Sequence, residues 1–393
     1  MDTIQSNTNP STKGDTITCL KFSRDGDLLA IGDGEGIIHL LKSDFREVGQ
    51  IEAHSTDLDS YKKPVVSPCV RNLEFLHSHG SRASLFSSNE KTIKLWKIFP
   101  VHNKITEFNT WEDGEKLEEE EWLSRTHNKL IIPSRRASQE SLESKCVTQF
   151  LGAHQCYINS VSLCSNYQNF VSADDLKIFL WDINRNDTAF LLVDQRESVK
   201  PISEVITSVK CHQSNSHIVL WTSTNGTIRI GDLRDRSICD NPAEIFKYSS
   251  RSNGFFDELV LAISSADFCQ SMDYIVARDY FTVKYWDMRN CSSPAVIVDV
   301  MSNLQRDMND LYQSQDICAK FEVKDFPSSE YCVTGGYSEV IMISRMGEIL
   351  NRINVTDTDE EILHMDVHPK SESVVFACDD RINQYIFNDI LLQ

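Results

Sequence analysis

The chain is short of positive charge. Its 393 residues carry 39 lysines and arginines against 58 aspartates and glutamates, a formal net charge of −19. A balance of that sign argues against a general binder of nucleic acid or of anionic membrane, because both repel it. Long hydrophobic runs are missing too, and none approaches the roughly 20 residues that a membrane helix needs. The first 14 residues are polar and lack the basic-then-apolar design of a secretory signal. The 12 cysteines are scattered, with no C-x-x-C pair and no zinc spacing. That usage suits a reducing compartment, so a cytoplasmic and also nuclear location is the expectation. Neither G-x-S-x-G nor a phosphate loop occurs. His77 and His79 lie two apart, in a loop without a carboxylate at metal spacing. The glycine-rich stretch from Gly32 to Gly36 joins two strands, so it is a hairpin turn and not a nucleotide cradle. These absences predict a chain without catalytic activity of its own and without a cofactor.

What the sequence does hold is one phrase used again and again. In SADDLKIFLWD (172–182), Val171 to Ala173 end one strand, Asp174 and Asp175 turn the chain, and Ile178 and Leu180 alternate along the next strand. The phrase returns as SSNEKTIKLWKI (87–98), TSTNGTIRIGDL (222–233) and VARDYFTVKYWDM (276–288). Units of three strands start near Ile17, Val70, Ile158, Val205, Ala262, Ile317 and Ile362. A unit repeated at this period is a repeat fold. A β-sandwich would not reuse a Trp-Asp ending at every third strand. The expectation is an all-β, seven-bladed WD-repeat β-propeller that takes residues 1–393 as a single domain. The seventh unit ends close to Gln393 without a fourth strand, and an unpaired edge is avoided in proteins. The N-terminal residues are therefore expected to close the ring.

Two stretches break the rhythm. The larger, 99–146, falls between the third and fourth strands of blade two. It holds an acidic run from Glu112 to Glu121, then LIIP (130–133) and Arg135-Arg136-Ala137-Ser138. It reads as a projecting hairpin, since a long loop inside a compact domain is usually functional or disordered. The smaller, Asp299 to Gln315, places Met301, Leu304, Met308 and Leu311 at near-helical spacing and predicts a short helix over an edge. Trp96, Trp181 and Trp286 end third strands and are expected to pack between blades.

Several phrases are more specific than a generic WD repeat: SNEKTIKLWKI, SADDLKIFLWDI, EVITSV followed by GTIRIGDLR, FFDELVLAISSADF, ARDYFTVKYWD, LYQSQDICAKFE and ILHMDVHP. On these the chain, from about Ile17 to Phe387, closely resembles the B-type regulatory subunits of protein phosphatase 2A. The resemblance implies a heterotrimer with a scaffold subunit and a metal-dependent catalytic subunit, in which the propeller selects phosphoprotein substrates. The rival is a generic WD-repeat scaffold or adaptor in another assembly, such as a ubiquitin ligase.

In a four-stranded meander, the turns between second and third strands share one end with the links between blades. Here those turns carry Asp33, Glu35, Glu90, Asp174, Asp175, Asp279, Glu339, Asp379 and Asp380 against Lys91, Lys177, Arg278 and Arg381, which predicts a net negative face. For any one aspartate, turn geometry is the simpler role, but a pair exceeds what one turn needs. The resemblance implies a substrate-recruiting groove formed by Asp174, Asp175, Leu176, Ile202 and Tyr157. It adds Asp59 and Lys62 of HSTDLDSYK (54–62), where Leu58 and Ser60 stand in place of the family's aromatics. It implies scaffold binding through Leu130, Ile131, Ile132, Pro133, Arg135 and Arg136. The expected substrates carry basic residues flanking apolar anchors.

Overall fold

In a computed structural model the chain forms seven four-stranded antiparallel sheets arranged as a β-propeller. The structure describes residues 4–6, 16–58, 65–102, 108–109, 134–135, 140–196, 204–235, 242–248, 256–269, 273–301, 308–327, 330–355, 360–378 and 380–387. Each blade follows the order a-b-c-d from the channel outwards. In blade three these strands are Ile158–Leu163, Asn169–Asp174, Lys177–Asp182 and Arg185–Asp194.

The alternation seen in the sequence does not mean one wet face. Strand Leu28–Asp33 of blade one and strand Ser373–Cys378 of blade seven are buried at every residue. The reason is stacking: each blade is covered on its two faces by its two neighbours. The core accordingly splits into seven apolar wedges, one at each junction between blades. Trp96, Trp181 and Trp286 are 8%, 2% and 1% exposed and sit in three of these wedges.

Ring closure follows the expectation. Ile4–Ser6 pairs antiparallel with Arg381–Ile386, matching Ile4 to Tyr385 and Ser6 to Asn383. Blade seven thus takes its outer strand from the start of the chain. In blade two, strands c (Ile93–His102) and d (Glu140–Phe150) pair out to His102 opposite Glu140, with a register shift between Leu95 and Trp96. Phe108–Asn109 then pairs with Ser134–Arg135. The 130–133 segment lies outside the described residues.

Several boundaries differ from the sequence reading. Strand a begins at Ser265 in blade five and at Met365 in blade seven. Strands c and d of blade two run to His102 and from Glu140, into the 99–146 stretch. Strand a of blade six is Val323–Asp325 and does not start at Ile317. Gln315 adopts a left-handed backbone (φ 68) and turns the chain into a 3-10 helix over Asp316–Cys318, so Ile317 reaches the core from a turn. The helix expected over 299–315 is confined, among the described residues, to Met308–Ser314, with Leu311 buried.

Strand a of every blade lines the central channel. Equivalent positions form a belt: Lys21, Glu74, Ser162, Lys210, Asp267, Lys324 and Asp366 for blades one to seven, each facing one of two connected cavities. Their signs alternate around the ring, except at Ser162. Lys21 lies 3.6 Å from Glu74 and 3.8 Å from Asp366, bridging both neighbouring blades.

Candidate functional site

The turn at Asp174–Leu176 is built from the inside. Asp174 is 1% exposed. Its Oδ1 accepts the backbone amides of Leu176 and Lys177 at 2.8 and 2.7 Å. Its Oδ2 lies 2.9 Å from Nδ1 of His154, whose Nε2 lies 2.6 Å from the Ser172 hydroxyl. The indole N–H of Trp181 donates to the same hydroxyl at 2.8 Å. Burial alone would raise the Asp174 carboxyl, but the bonds from His154 and the two amides hold it below the ordinary aspartate value. Asp174 is therefore spent on the turn and presents no charge to solvent.

Blade two repeats the arrangement with a substitution. His54 lies 2.9 Å from Ser87, and Trp96 donates to Ser87 at 3.0 Å. Asn89 stands where Asp174 stands and accepts the amides of Lys91 and Thr92 at 3.0 and 2.8 Å. Without a carboxylate, burial aided by Lys94 pushes His54 down to about 3.

Asp175 is the half-buried partner. Its Oδ1 accepts from Asn159 Nδ2 at 2.7 Å, and it forms no ion pair among the described residues. Asn159 Nδ2 also donates to the Ile206 carbonyl at 2.9 Å, so one amide ties blades three and four beside the channel mouth. Ile158 pairs with Asp174, which sets Tyr157 and Asp175 at the same end of strands a and b. Tyr157 is 49% exposed, with the Arg71 guanidinium 5.5 Å and the Lys91 ammonium 5.6 Å from its ring centre. Leu176 is half-buried.

The structure thus gathers Tyr157, Asp175 and Leu176 at one rim. Ile202, Asp59, Lys62, Leu130, Ile131, Ile132 and Pro133 lie outside the described residues, as does Arg136. Of Arg135, the strand placement alone is described.

The acidity expected of this face is thinned by turn geometry. Asp33 and Asp279, like Asp174, are buried and cap their own turns. Glu90 pairs with Arg71 at 3.1 Å and Glu339 with Arg352 at 2.7 Å. Arg278, counted among the basic neighbours, is fully buried against Phe321. Among the described residues no cluster of histidine, cysteine and carboxylates could hold a metal ion.

Sequence reasoning missed His154, Asn159 and Arg71. The first had a signal: Ala-His before strand a recurs at 53–54 and 153–154, each followed by a serine on strand b and a tryptophan on strand c. The other two had none, because each also reaches into a neighbouring blade, Asn159 to the Ile206 carbonyl and Arg71 to the Tyr157 ring.

The seven blades and the tetrad of His154, Ser172, Asp174 and Trp181 define a WD-repeat propeller. A family model described as "WD domain, G-beta repeat" matches residues 5–40 and 144–182. The chain is 30% identical over 349 residues to a B-type regulatory subunit of protein phosphatase PP2A from Candida tropicalis, covering 84% of this chain and 67% of that protein. It is 30% identical over 337 residues to the protein of the same name from Schizosaccharomyces pombe, covering 83% and 73%. Against "Serine/threonine-protein phosphatase 2A regulatory subunit sur-6" of Caenorhabditis elegans it is 27% identical over 445 residues, covering 96% and 87%. The chain belongs to the family of B-type PP2A regulatory subunits, whose part in the phosphatase complex is regulatory and not catalytic.

Proposed function

We propose that the chain is the substrate-selecting component of a heterotrimeric PP2A, held with a scaffold and a catalytic subunit in the cytoplasm and nucleus. The resemblance of LIIP and its basic neighbours to the family's projecting arm supports scaffold docking through Leu130, Ile131, Ile132, Pro133, Arg135 and Arg136. Phosphoproteins dock at the channel mouth. The observation that carries this is the Asp175 carboxylate, which accepts from Asn159 but forms no ion pair among the described residues, set beside the exposed Tyr157 ring. Such a rim suits a segment with basic residues flanking apolar anchors. Leu176 and Ile202 contribute apolar contact, and Asp59 and Lys62 extend the surface from the link after blade one. Asp174 acts through the turn and does not touch the substrate.

The test uses purified trimers. Asp175→Lys removes an attraction and adds a repulsion. A central charged contact is worth about 2 kcal/mol, or roughly 30-fold in kcat/KM, on a substrate flanked by basic residues. Activity on a small phosphoester should not change. Equal loss on both substrates would point to damaged assembly, and no loss on either would move the recruiting surface elsewhere.

A further inference from the structure

We propose that Cys164 and Cys211 form a reversible oxidation site, whose disulfide staples blade three to blade four. Their sulfur atoms stand 3.2 Å apart in the apolar wedge between these blades. That is roughly 1.2 Å beyond a disulfide bond. The approach is held by the two strands a, Ile158–Leu163 and Ile206–Cys211, which are tied to each other along their length. Asn159 Nδ2 donates to the Ile206 carbonyl at 2.9 Å, the Ser160 hydroxyl to the Val209 carbonyl at 3.1 Å, and the Cys211 amide to the Ser162 hydroxyl at 3.0 Å. The last of these bonds lies two residues from Cys164. The fold has thus closed the 47-residue span between the two cysteines before any covalent bond forms.

The two thiols differ in access. Cys211 is 6% exposed and lines the channel cavity of about 410 Å³ at the end away from Asp175, whereas Cys164 is 0% exposed. Hydrogen peroxide entering the channel therefore meets Cys211 first. The Cys211 sulfur gives up its proton and attacks the peroxide, the O–O bond breaks, and a sulfenic acid and one water result. The Cys164 sulfur then loses its proton and attacks the Cys211 sulfur, the S–O bond breaks, and a second water leaves. Two electrons pass from the thiol pair to the peroxide. A small dithiol reverses the change by exchange at Cys211 and is itself oxidised to its disulfide. The bond with Cys164, then burial, pushes the Cys211 thiol up, so the pair rests protonated and answers to sustained oxidant and not to a brief pulse. Disulfides in reducing compartments are of this transient kind. The staple ties the same two blades that Asn159 joins beside Asp175. The inference does not depend on the phosphatase role.

The full chain, purified with its thiols reduced, is treated with hydrogen peroxide. Its remaining thiols are alkylated, and disulfides are mapped by mass spectrometry after digestion. A Cys164–Cys211 link is expected, with a thermal midpoint higher by about 2 °C or more, as for a cross-link over a long loop. Dithiothreitol should restore both the thiols and the original midpoint. Cys164→Ala should form no link and should leave Cys211 as a sulfenic acid that dimedone traps. Cys318→Ser removes an exposed thiol and should link as the parent does. Should Cys164→Ala misfold, the map of the parent chain decides alone. Four results would overturn the proposal: oxidised Cys211 with Cys164 left free, pairing of either with another cysteine, a link that leaves the midpoint unchanged, or both thiols intact once Cys318 is fully oxidised.

Discussion

Asp174 and Asp175 are adjacent in sequence and identical in kind, and the structure predicts opposite consequences for removing them. Asp174→Ala deletes a charged acceptor from two backbone amides at 2.8 and 2.7 Å and from His154 at 2.9 Å. It leaves the histidine buried without its partner. Leaving a buried donor unsatisfied costs about 1–3 kcal/mol for each group so stranded. Asp174→Asn keeps an acceptor for the amides, as Asn89 does in blade two, and loses only the charge-assisted bond, about 1–2 kcal/mol. Asp175→Asn keeps an acceptor for Asn159 at this half-buried position and should change stability by less than ~0.5 kcal/mol, since no buried donor is left unsatisfied. Urea midpoints at constant slope measure all three. Acid adds a second reading. The folded Asp174 carboxyl lies below its unfolded value, so its contribution is fully present above about pH 4 and is lost as pH falls through the lower folded value. The gap between the parent and Asp174→Ala should be the same at neutral and mildly acidic pH and close at the acid end. A larger loss from Asp175→Asn than from Asp174→Ala would refute the division of labour.

The other outcomes follow from closure, close approach and assembly. Deleting residues 1–15 strips Ile4–Ser6 from Arg381–Ile386 and exposes a sheet edge, so light scattering at the unfolding midpoint should rise and the midpoint should fall. Gly335→Ala would drive a Cβ into the Ile362 carbonyl where blade six meets blade seven, and the soluble yield should drop sharply, unlike that of Gly80→Ala, whose Cβ would meet open space but whose φ of 58 costs a small strain. Replacing 122–139, which stops short of strand d (Glu140–Phe150), by a short Gly/Ser linker should leave a folded propeller that no longer pulls down the scaffold, because lengthening or shortening a surface loop costs little closure entropy. Unchanged assembly would put the contact on the propeller body.

The blades were legible because their information is local. Period-two alternation, turn aspartates and Trp-Asp endings each span a dozen residues, so the seven units could be counted from SADDLKIFLWD outwards. The need for a closing strand was legible too, because the seventh unit reads as three strands, and Ile4–Ser6 supplies the fourth although it carries no strong strand pattern. What the sequence could not assign was the use of each turn acid. Asp174 is a cap because His154, 20 residues earlier, folds back onto it. Asp175 stays open because Asn159 turns its amide towards it and towards Ile206 of the next blade. The belt was equally hidden: Lys21 and Asp366 are 3.8 Å apart across the closing junction, yet lie at opposite ends of the chain. Strand identity is decided by short-range sterics and patterning, which a chain carries with it. Charge pairing across blades is decided only when the ring shuts and distant strands share one channel.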